Sequence, residues 1–215
     1  MLFRSILMYG SISSLMFVGL IYGLRFLKLK NYLLGFEWII LGLSSMCGII
    51  FLASGSVHIE QIWTFFDVFS RLFGITIIGS IGLLKVTHTI VPSHRFDAGI
   101  FALGFAASAA FIANPALGQQ IGLPIAELVM AAIFLTIIFI VAWQCFKRRL
   151  YLSALAMLAT LILFSYVSLM GDFHELGPDG IPIHLVNFST AHLVWAFGFA
   201  AIYHSYAALA RAKRI

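Results

Sequence analysis

The stretch LVMAAIFLTIIFIVAWQCFKRR, residues 128–149, decides the class of this protein. It places a long apolar run without a charged residue directly before three consecutive basic residues. A helix needs about 20 apolar residues to cross the hydrocarbon core of a bilayer, and basic residues mark the cytoplasmic end of such a helix. The stretch therefore predicts a transmembrane helix that ends at the cytoplasmic surface.

The rest of the chain has the same character. Of its 215 residues 62% are hydrophobic and 10% are charged, whereas a soluble domain carries about 25% charged residues. No internal sequence repeat is apparent. We predict an all-α integral membrane protein in which residues 1–215 form a single seven-transmembrane-helix bundle, surrounded by the lipid of a bacterial inner membrane or a plasma membrane. The predicted helices lie near residues 5–26, 33–54, 61–86, 97–113, 122–146, 150–170 and 183–210.

The basic residues indicate the orientation of the bundle. Eleven of the thirteen lie in the odd-numbered connections, at their flanks or in the tail: Arg25, Lys28, Lys30, Lys85, Arg95, Lys147, Arg148, Arg149, Arg211, Lys213 and Arg214. The even-numbered connections carry Glu60, Asp172, Glu175 and Asp179 instead. The positive-inside rule then predicts an external N-terminus and a cytoplasmic C-terminus. Topology also explains the net charge of +5, so no nucleic-acid partner is expected.

A histidine lies inside the last predicted helix, in STAHLVWAF, residues 189–197. An ionisable side chain near the bilayer centre costs roughly 2.5 kcal/mol or more on insertion scales, so His192 calls for a partner. With the predicted orientation, other polar residues gather at the same outer level: Ser54, His58, Asp67, His174, Glu175, Asp179 and His184. We expect several of them to converge in one outward-facing pocket.

These residues carry a resemblance to a known family. Ser54 and His58 form SxxxH at the end of the second predicted helix, Asp67 follows on the third, and His192-Leu-Val-Trp195 lies on the last. The pattern resembles the seven-helix membrane hydrolases that include alkaline ceramidases and adiponectin receptors. In that superfamily, SxxxH, an aspartate and a last-helix HxxxH surround a zinc ion whose bound water attacks a lipid amide.

The resemblance implies a role for each matching residue. His58 and His192 would be zinc ligands, Ser54 and Asp67 would orient the attacking water, and a lipid would be the substrate. The third ligand is expected at position 196, where this chain has alanine. A catalytic zinc site usually has three protein ligands, so His174 is the predicted replacement. A chain that lacks the motif's last histidine is expected to be an altered, inactive or repurposed relative.

Structural interpretations of the same residues stay open. Asp67 and Arg71 are spaced to pair on one helix face, and His192 is placed to donate a hydrogen bond to a neighbouring helix. Glu37 and Glu127 lie near helix ends, where we expect their carboxylates to reach water.

Two further functions also stay open. The first is electron transfer by two b haems, held by His192 with His58 and by His204 with His88, because histidine is a common axial ligand of haem iron. The second is a non-catalytic membrane subunit or scaffold that packs against membrane-protein partners. The small residues of GFAASAAF, residues 104–111, suit close helix approach.

Overall fold

The computed structural model describes residues 2–88, 93–114, 123–169, 176–177 and 181–213. Within these residues seven helices are long and apolar enough to cross a membrane, and there is no β-strand. Each helix overlaps one predicted stretch, so the prediction of seven helices long and apolar enough to span a membrane is confirmed. The helices are α1 (Leu2–Lys28), α2 (Tyr32–Ser54), α3 (Val57–Thr87), α4 (His94–Ala113), α5 (Leu123–Lys147), α6 (Tyr151–Leu169) and α7 (Leu185–Ala212).

The α1–α2 and α5–α6 connections use the same tight turn. Each contains a basic residue in the left-handed conformation, Lys30 with φ 57° and Arg149 with φ 59°. The amide of Lys30 donates to the carbonyl three residues back (2.9 Å), and that of Asn31 donates to the carbonyl five residues back (3.0 Å). Arg149 and Leu150 repeat both bonds (2.9 Å each). This pair of bonds is the Schellman motif, which satisfies carbonyls at a helix end and reverses the chain.

Six of the helices form a closed ring in the order α1, α2, α3, α5, α6 and α7, with α7 packed back against α1. Aromatic side chains fill the ring. Trp38 of α2 packs on Phe199 of α7 with centroids 4.7 Å apart, and Phe26 of α1 packs on Trp38 at 5.4 Å. All three rings are fully buried, so this cluster joins the first two helices to the last.

The ring divides into an N-terminal unit, α1–α3, and a C-terminal unit, α5–α7. The first helix of each unit packs against the third helix of the other, α1 on α7 and α5 on α3. Corresponding helices run in the same direction because α4 returns the chain to the starting side. The two units therefore make the same pattern of helix contacts. The correspondence is one of helix packing and not of sequence.

Helix α4 lies outside the ring and packs on α3. Gly104 permits a close approach to Phe69, whose ring stacks on Phe105 with centroids 4.4 Å apart. Only 17% of the membrane-spanning window of α4 is buried, against 61% for α3. Gly104 and Ser108 are the buried residues of GFAASAAF, and most of the α4 surface faces outward.

Helix α3 contains an irregularity that the sequence pattern did not predict. Its middle, Ser70–Gly79, is a π-helix of ten residues between two α-helical parts, Val57–Phe69 and Ser80–Thr87. A π-helix is wider than an α-helix and is frequent at functional sites. The end of the bundle where α3 finishes and α2 and α4 begin is called the basic end below, because the basic connections lie there.

Candidate functional site

The predicted SxxxH motif lies at the junction of α2 and α3. The Ser54 hydroxyl donates to the Ile50 carbonyl (2.7 Å) and accepts the Ser56 amide (3.3 Å). His58 is in the first turn of α3 and is exposed. It makes no hydrogen bond, ion pair or ring contact with another of the residues that the structure describes. The serine thus stabilises the local helix end, and the histidine faces the surroundings.

The predicted aspartate has a partner on its own helix. Arg71 Nε lies 3.0 Å from Asp67 Oδ2, in an i,i+4 pair that is about one-third exposed on each side. The interpretation of these residues as an ion pair on one face of α3 is therefore confirmed. An exposed pair of this kind neutralises both charges and contributes little to stability.

His192 is buried, with 8% of its surface exposed. Its Nδ1–H donates to the Phe188 carbonyl (2.7 Å), and its ring packs against the Phe188 ring with centroids 4.2 Å apart. The acceptor lies in α7 itself rather than in a neighbouring helix. This bond places a proton on Nδ1, as in histidines that bind a metal through Nε2.

The predicted zinc ligands belong to different parts of the bundle. His58 lies in the part of α3 that packs on α2 and α4, whereas His192 lies in α7, which packs on α1 and α6. Across the described ranges, no three His, Cys, Asp or Glu side chains converge in a metal-binding group. The loop residues His174, Glu175 and Asp179 lie outside the described residues, as does the side chain of Glu127. The zinc site stays a prediction.

The histidines of the predicted haem pairs have local contacts. A hydrogen bond of 3.1 Å joins the Tyr22 hydroxyl to His204 Nε2, and the two rings pack edge to face at 5.4 Å. The Thr87 hydroxyl lies 2.8 Å from His88 Nδ1. Both histidines are exposed at the basic end. The haem assignment stays a prediction as well.

The most unusual ionisable group in the described bundle is Glu37, and the expectation that its carboxylate reaches water is wrong. Its exposed fraction is 0%, although it lies only five positions from the start of α2. The carboxyl group packs directly over Gly74 in the π-helical segment of α3, where an added β-carbon would overlap it. The absence of a side chain at Gly74 lets the two backbones approach and closes the path to water.

The surroundings of Glu37 provide few interactions that offset the free-energy cost of burying its carboxyl group. Neither carboxyl oxygen has a hydrogen-bond partner among the described residues, and none of these residues forms an ion pair with it. The Ser70 hydroxyl lies beside the carboxyl group, but the two lack the geometry of a formed hydrogen bond and Ser70 has no other partner. A signal was present in the sequence, because Glu37, like Glu127, is an acidic residue inside a predicted helix that has no basic residue one turn away. Intramembrane acids of this kind are often functional.

Comparisons with known proteins do not assign the chain to a family. No family model matches it, and neither a curated protein nor a solved structure gives a significant match.

Proposed function

We propose that this chain is a proton-coupled membrane transporter in which Glu37 takes up and releases the proton. The observation that carries the proposal is the fully buried carboxyl group, which lies against a π-helical segment without a charged partner among the described residues. An unpaired charge inside a membrane protein is costly. The position therefore requires a proton or a cation, and a change in occupancy requires a change in its surroundings.

A proton fits this position better than a metal cation. Ca²⁺ takes about 6–8 oxygen ligands and Mg²⁺ demands a near-ideal octahedron. The Ser70 hydroxyl lies beside Glu37, and the α3 backbone at Gly74 packs directly against the carboxyl group. A proton needs a single carboxyl oxygen and no further ligands.

The π-helical segment supplies an element that can respond to the proton. A ten-residue π-helix at the Glu37 contact is adjustable, because it converts to α-helix by a local change of hydrogen-bond register. The arrangement of two parallel three-helix units also supports transport, since several transporter folds are built from repeated units. In the proposed cycle, loss of the proton opens the contact between Glu37 and Gly74 and admits water or solute between α2 and α3.

The predicted topology sets the side of the membrane with which Glu37 exchanges its proton. With the basic end in the cytoplasm, Glu37 lies roughly 8 Å from the start of α2, at 1.5 Å per residue, and exchanges its proton with the cytoplasmic side. A reporter fused after Ile215 is then expected inside the cell and a tag before Met1 outside. Protease removal of the C-terminal reporter from intact cells would reverse the orientation.

Infrared difference spectroscopy tests the proton site directly. The full chain in liposomes is compared at acidic and alkaline pH, and the carbonyl stretch of a protonated carboxylic acid is followed. We expect this band in the wild type and its loss in Glu37→Gln, which keeps the shape of the side chain. Glu60→Gln is the matched control, because Glu60 is exposed in the first turn of α3. A band that persists in Glu37→Gln overturns the proposal, and a band displaced by sodium assigns the site to a metal cation.

Charge movement after a pH jump tests the coupling. Liposomes that contain the chain are adsorbed to a capacitive electrode, and the external pH is stepped. Proton entry to a buried site moves charge across part of the membrane, so the wild type and Glu60→Gln should give a transient current. Glu37→Gln should give none. Equal currents in all three proteins would contradict a role for Glu37 in coupling.

A zinc-dependent lipid amide hydrolase is the second candidate, and the Nδ1–H bond of His192 favours keeping it. The proposed ligands are His58, His192 and His174, with Ser54 and Asp67 as the residues that orient water. Purified chain is expected to contain one zinc per molecule that is lost in His192→Ala, and to hydrolyse a ceramide-like amide. Zinc content that is unaffected by His192→Ala would remove this candidate.

A further inference from the structure

A patch of cationic and aromatic side chains lies at the basic end, where α1 packs on α7, and is separate from Glu37. The ring contacts of Tyr22 with Tyr203 and of Phe26 with Tyr206 advance together along both helices. The two helices therefore run in the same direction, and their basic C-terminal turns meet at this end. We call this surface the α1–α7 patch, which consists of Tyr22, Arg25, Tyr203 and His204.

Two tyrosine rings restrict the position of the Arg25 guanidinium group. Its Cζ lies 5.3 Å from the ring centroid of Tyr22 on α1 and 5.8 Å from that of Tyr203 on α7. A guanidinium within about 6 Å of a ring centroid is attracted to the face of the ring. The two rings pack on each other with centroids 4.8 Å apart. Contacts from both helices therefore hold Arg25 at the seam between them.

Arg25 has no acidic partner among the residues that the structure describes. Its side chain is exposed, and the described ion pairs of Asp67 and Asp97 are formed with Arg71 and Lys85. An aromatic ring contacts the face of a guanidinium group, whereas the N–H donors lie in its plane. Those donors match the oxygens of a phosphate group, which arginine binds with two parallel hydrogen bonds. Arg25 is therefore a positioned cation whose donors are available to an anion.

The α1–α7 patch faces the surroundings of the bundle. Phe26 points into the helix ring and is fully buried, whereas Arg25 lies one turn after Ile21, which is 47% exposed. On α7, the exposed His204 lies two turns after Phe197, which is also 47% exposed. Residues four or seven positions apart share one face of a helix. Exposed apolar side chains thus adjoin the patch on the side towards the middle of the membrane.

We propose that the α1–α7 patch binds an anionic phospholipid in the leaflet at the basic end. The guanidinium of Arg25 donates hydrogen bonds to the phosphate, and His204 lies beside the headgroup on α7. The acyl chains extend along the faces that carry Ile21 and Phe197. Basic residues at a membrane surface attract anionic lipids, and the basic residues of this end repel the ammonium of a zwitterionic headgroup. The site therefore selects a lipid of net negative charge.

Native mass spectrometry of the full chain tests the proposal. The detergent-purified protein is mixed with equal amounts of phosphatidylglycerol, phosphatidylethanolamine and phosphatidylcholine that have the same acyl chains, and the retained lipids are compared. We expect phosphatidylglycerol to be retained about fivefold more than either zwitterionic lipid, the ratio expected for one additional charge contact at a membrane surface. Glycerophosphoglycerol, which carries the headgroup without acyl chains, should not displace it at millimolar concentration.

Substitution of Arg25 should remove most of the preference. Arg25→Gln removes the charge and should bring the three lipids within about twofold of each other, whereas Arg25→Lys keeps the charge without the planar donors and should keep part of the preference. Lys28→Gln is the matched control, because Lys28 is an exposed cation in the same last turn of α1 that is not stacked on a ring within the described residues. It should retain the preference.

Several results would overturn the proposal. Equal retention of the three lipids by the wild type would show that the patch does not select an anionic headgroup. Equal losses in Arg25→Gln and Lys28→Gln would reduce the effect to overall charge, and displacement by glycerophosphoglycerol would assign the site to a soluble phosphate. If Arg25→Gln does not fold by circular dichroism, Arg25→Lys decides the matter, and a preference unchanged in that variant contradicts the proposal.

Discussion

The two three-helix units use the same construction but place different chemistry inside it. In each unit a glycine on the third helix receives a side chain of the second helix. Gly74 receives the Glu37 carboxyl group, and Gly198 receives the Phe164 ring. Trp38 and Met157 each lie eight positions after the left-handed residue of their hairpin, and both are fully buried.

The two glycine contacts differ in the chemistry of the side chain that fills them. In the C-terminal unit the glycine contact is filled by an aromatic ring, which gains free energy from burial at no electrostatic cost. In the N-terminal unit a glycine contact at a different level, seven rather than fifteen positions after the left-handed residue, is filled by a carboxyl group, whose burial without a partner is costly. The ring therefore suits a packing role, whereas the buried acid is the group that the proposed function uses.

The largest expected effect comes from Phe164→Ala. The ring is 1% exposed and packs on Trp195 with centroids 4.2 Å apart. Its removal leaves a cavity in the C-terminal unit, so the free energy of unfolding should fall by about 3–5 kcal/mol. Thermal unfolding of the detergent-solubilised chain measures the loss, with the exposed Phe197→Ala as the control. A loss no larger than that of the control would show that the ring is not a packing centre.

Gly74→Ala tests the glycine contact of the N-terminal unit. The added methyl group overlaps the Glu37 carboxyl group, so overpacking should lower the free energy of unfolding by about 1–3 kcal/mol. The double variant Gly74→Ala with Glu37→Ala removes the obstructing side chain and should recover most of that loss. Thermal unfolding and helix content by circular dichroism check both variants. Two independent, additive losses would mean that these residues do not touch.

Ala196→His tests the zinc-site prediction on α7. It places a histidine one turn after His192, where the hydrolase motif has its last histidine. Ala196 is 6% exposed, so the larger side chain should also overpack the bundle and lower the free energy of unfolding by about 1–3 kcal/mol. If the hydrolase resemblance is genuine, zinc content should rise, because a third nitrogen completes the site. Metal analysis of the folded variant measures this. Unchanged zinc in a well-folded protein would make the resemblance accidental.

The smallest effect is expected from Asp67→Asn. The pair with Arg71 is partly exposed on one helix face, and such pairs contribute about 0.3–0.5 kcal/mol. Arg71→Gln should give a loss of similar size, and the double variant should lose little more than either single one. Thermal unfolding at low and high salt tests this, since salt screens an exposed pair. A loss above about 1 kcal/mol, outside the usual range for exposed pairs, would give Asp67 a larger role.

The sequence was sufficient for the seven helices and for the Asp67–Arg71 pair. Each of these depends on a local property: the length of an apolar run, or two opposite charges spaced four positions apart on one helix. The expectation that the Glu37 carboxylate reaches water was wrong, because the position of a residue along a helix does not show which neighbouring helix covers its side chain. The predicted zinc and haem ligands lie on separate helices or loops. A local sequence pattern does not show whether such residues come together.

Tertiary structure decided which faces of the helices meet. In a soluble helix the apolar stripe marks the buried side, but in a membrane the lipid-facing side is apolar too, so the pattern does not reveal the rotation of the helix. Small residues and shape then determine packing, as at Gly74 and Gly198. The sequence by itself determined that this chain has seven helices long and apolar enough to span a membrane, and where its basic connections lie. Only the packing of α3 against α2 turned Glu37 into a buried acid, and only the packing of α7 against α1 placed the Tyr203 ring beside Arg25.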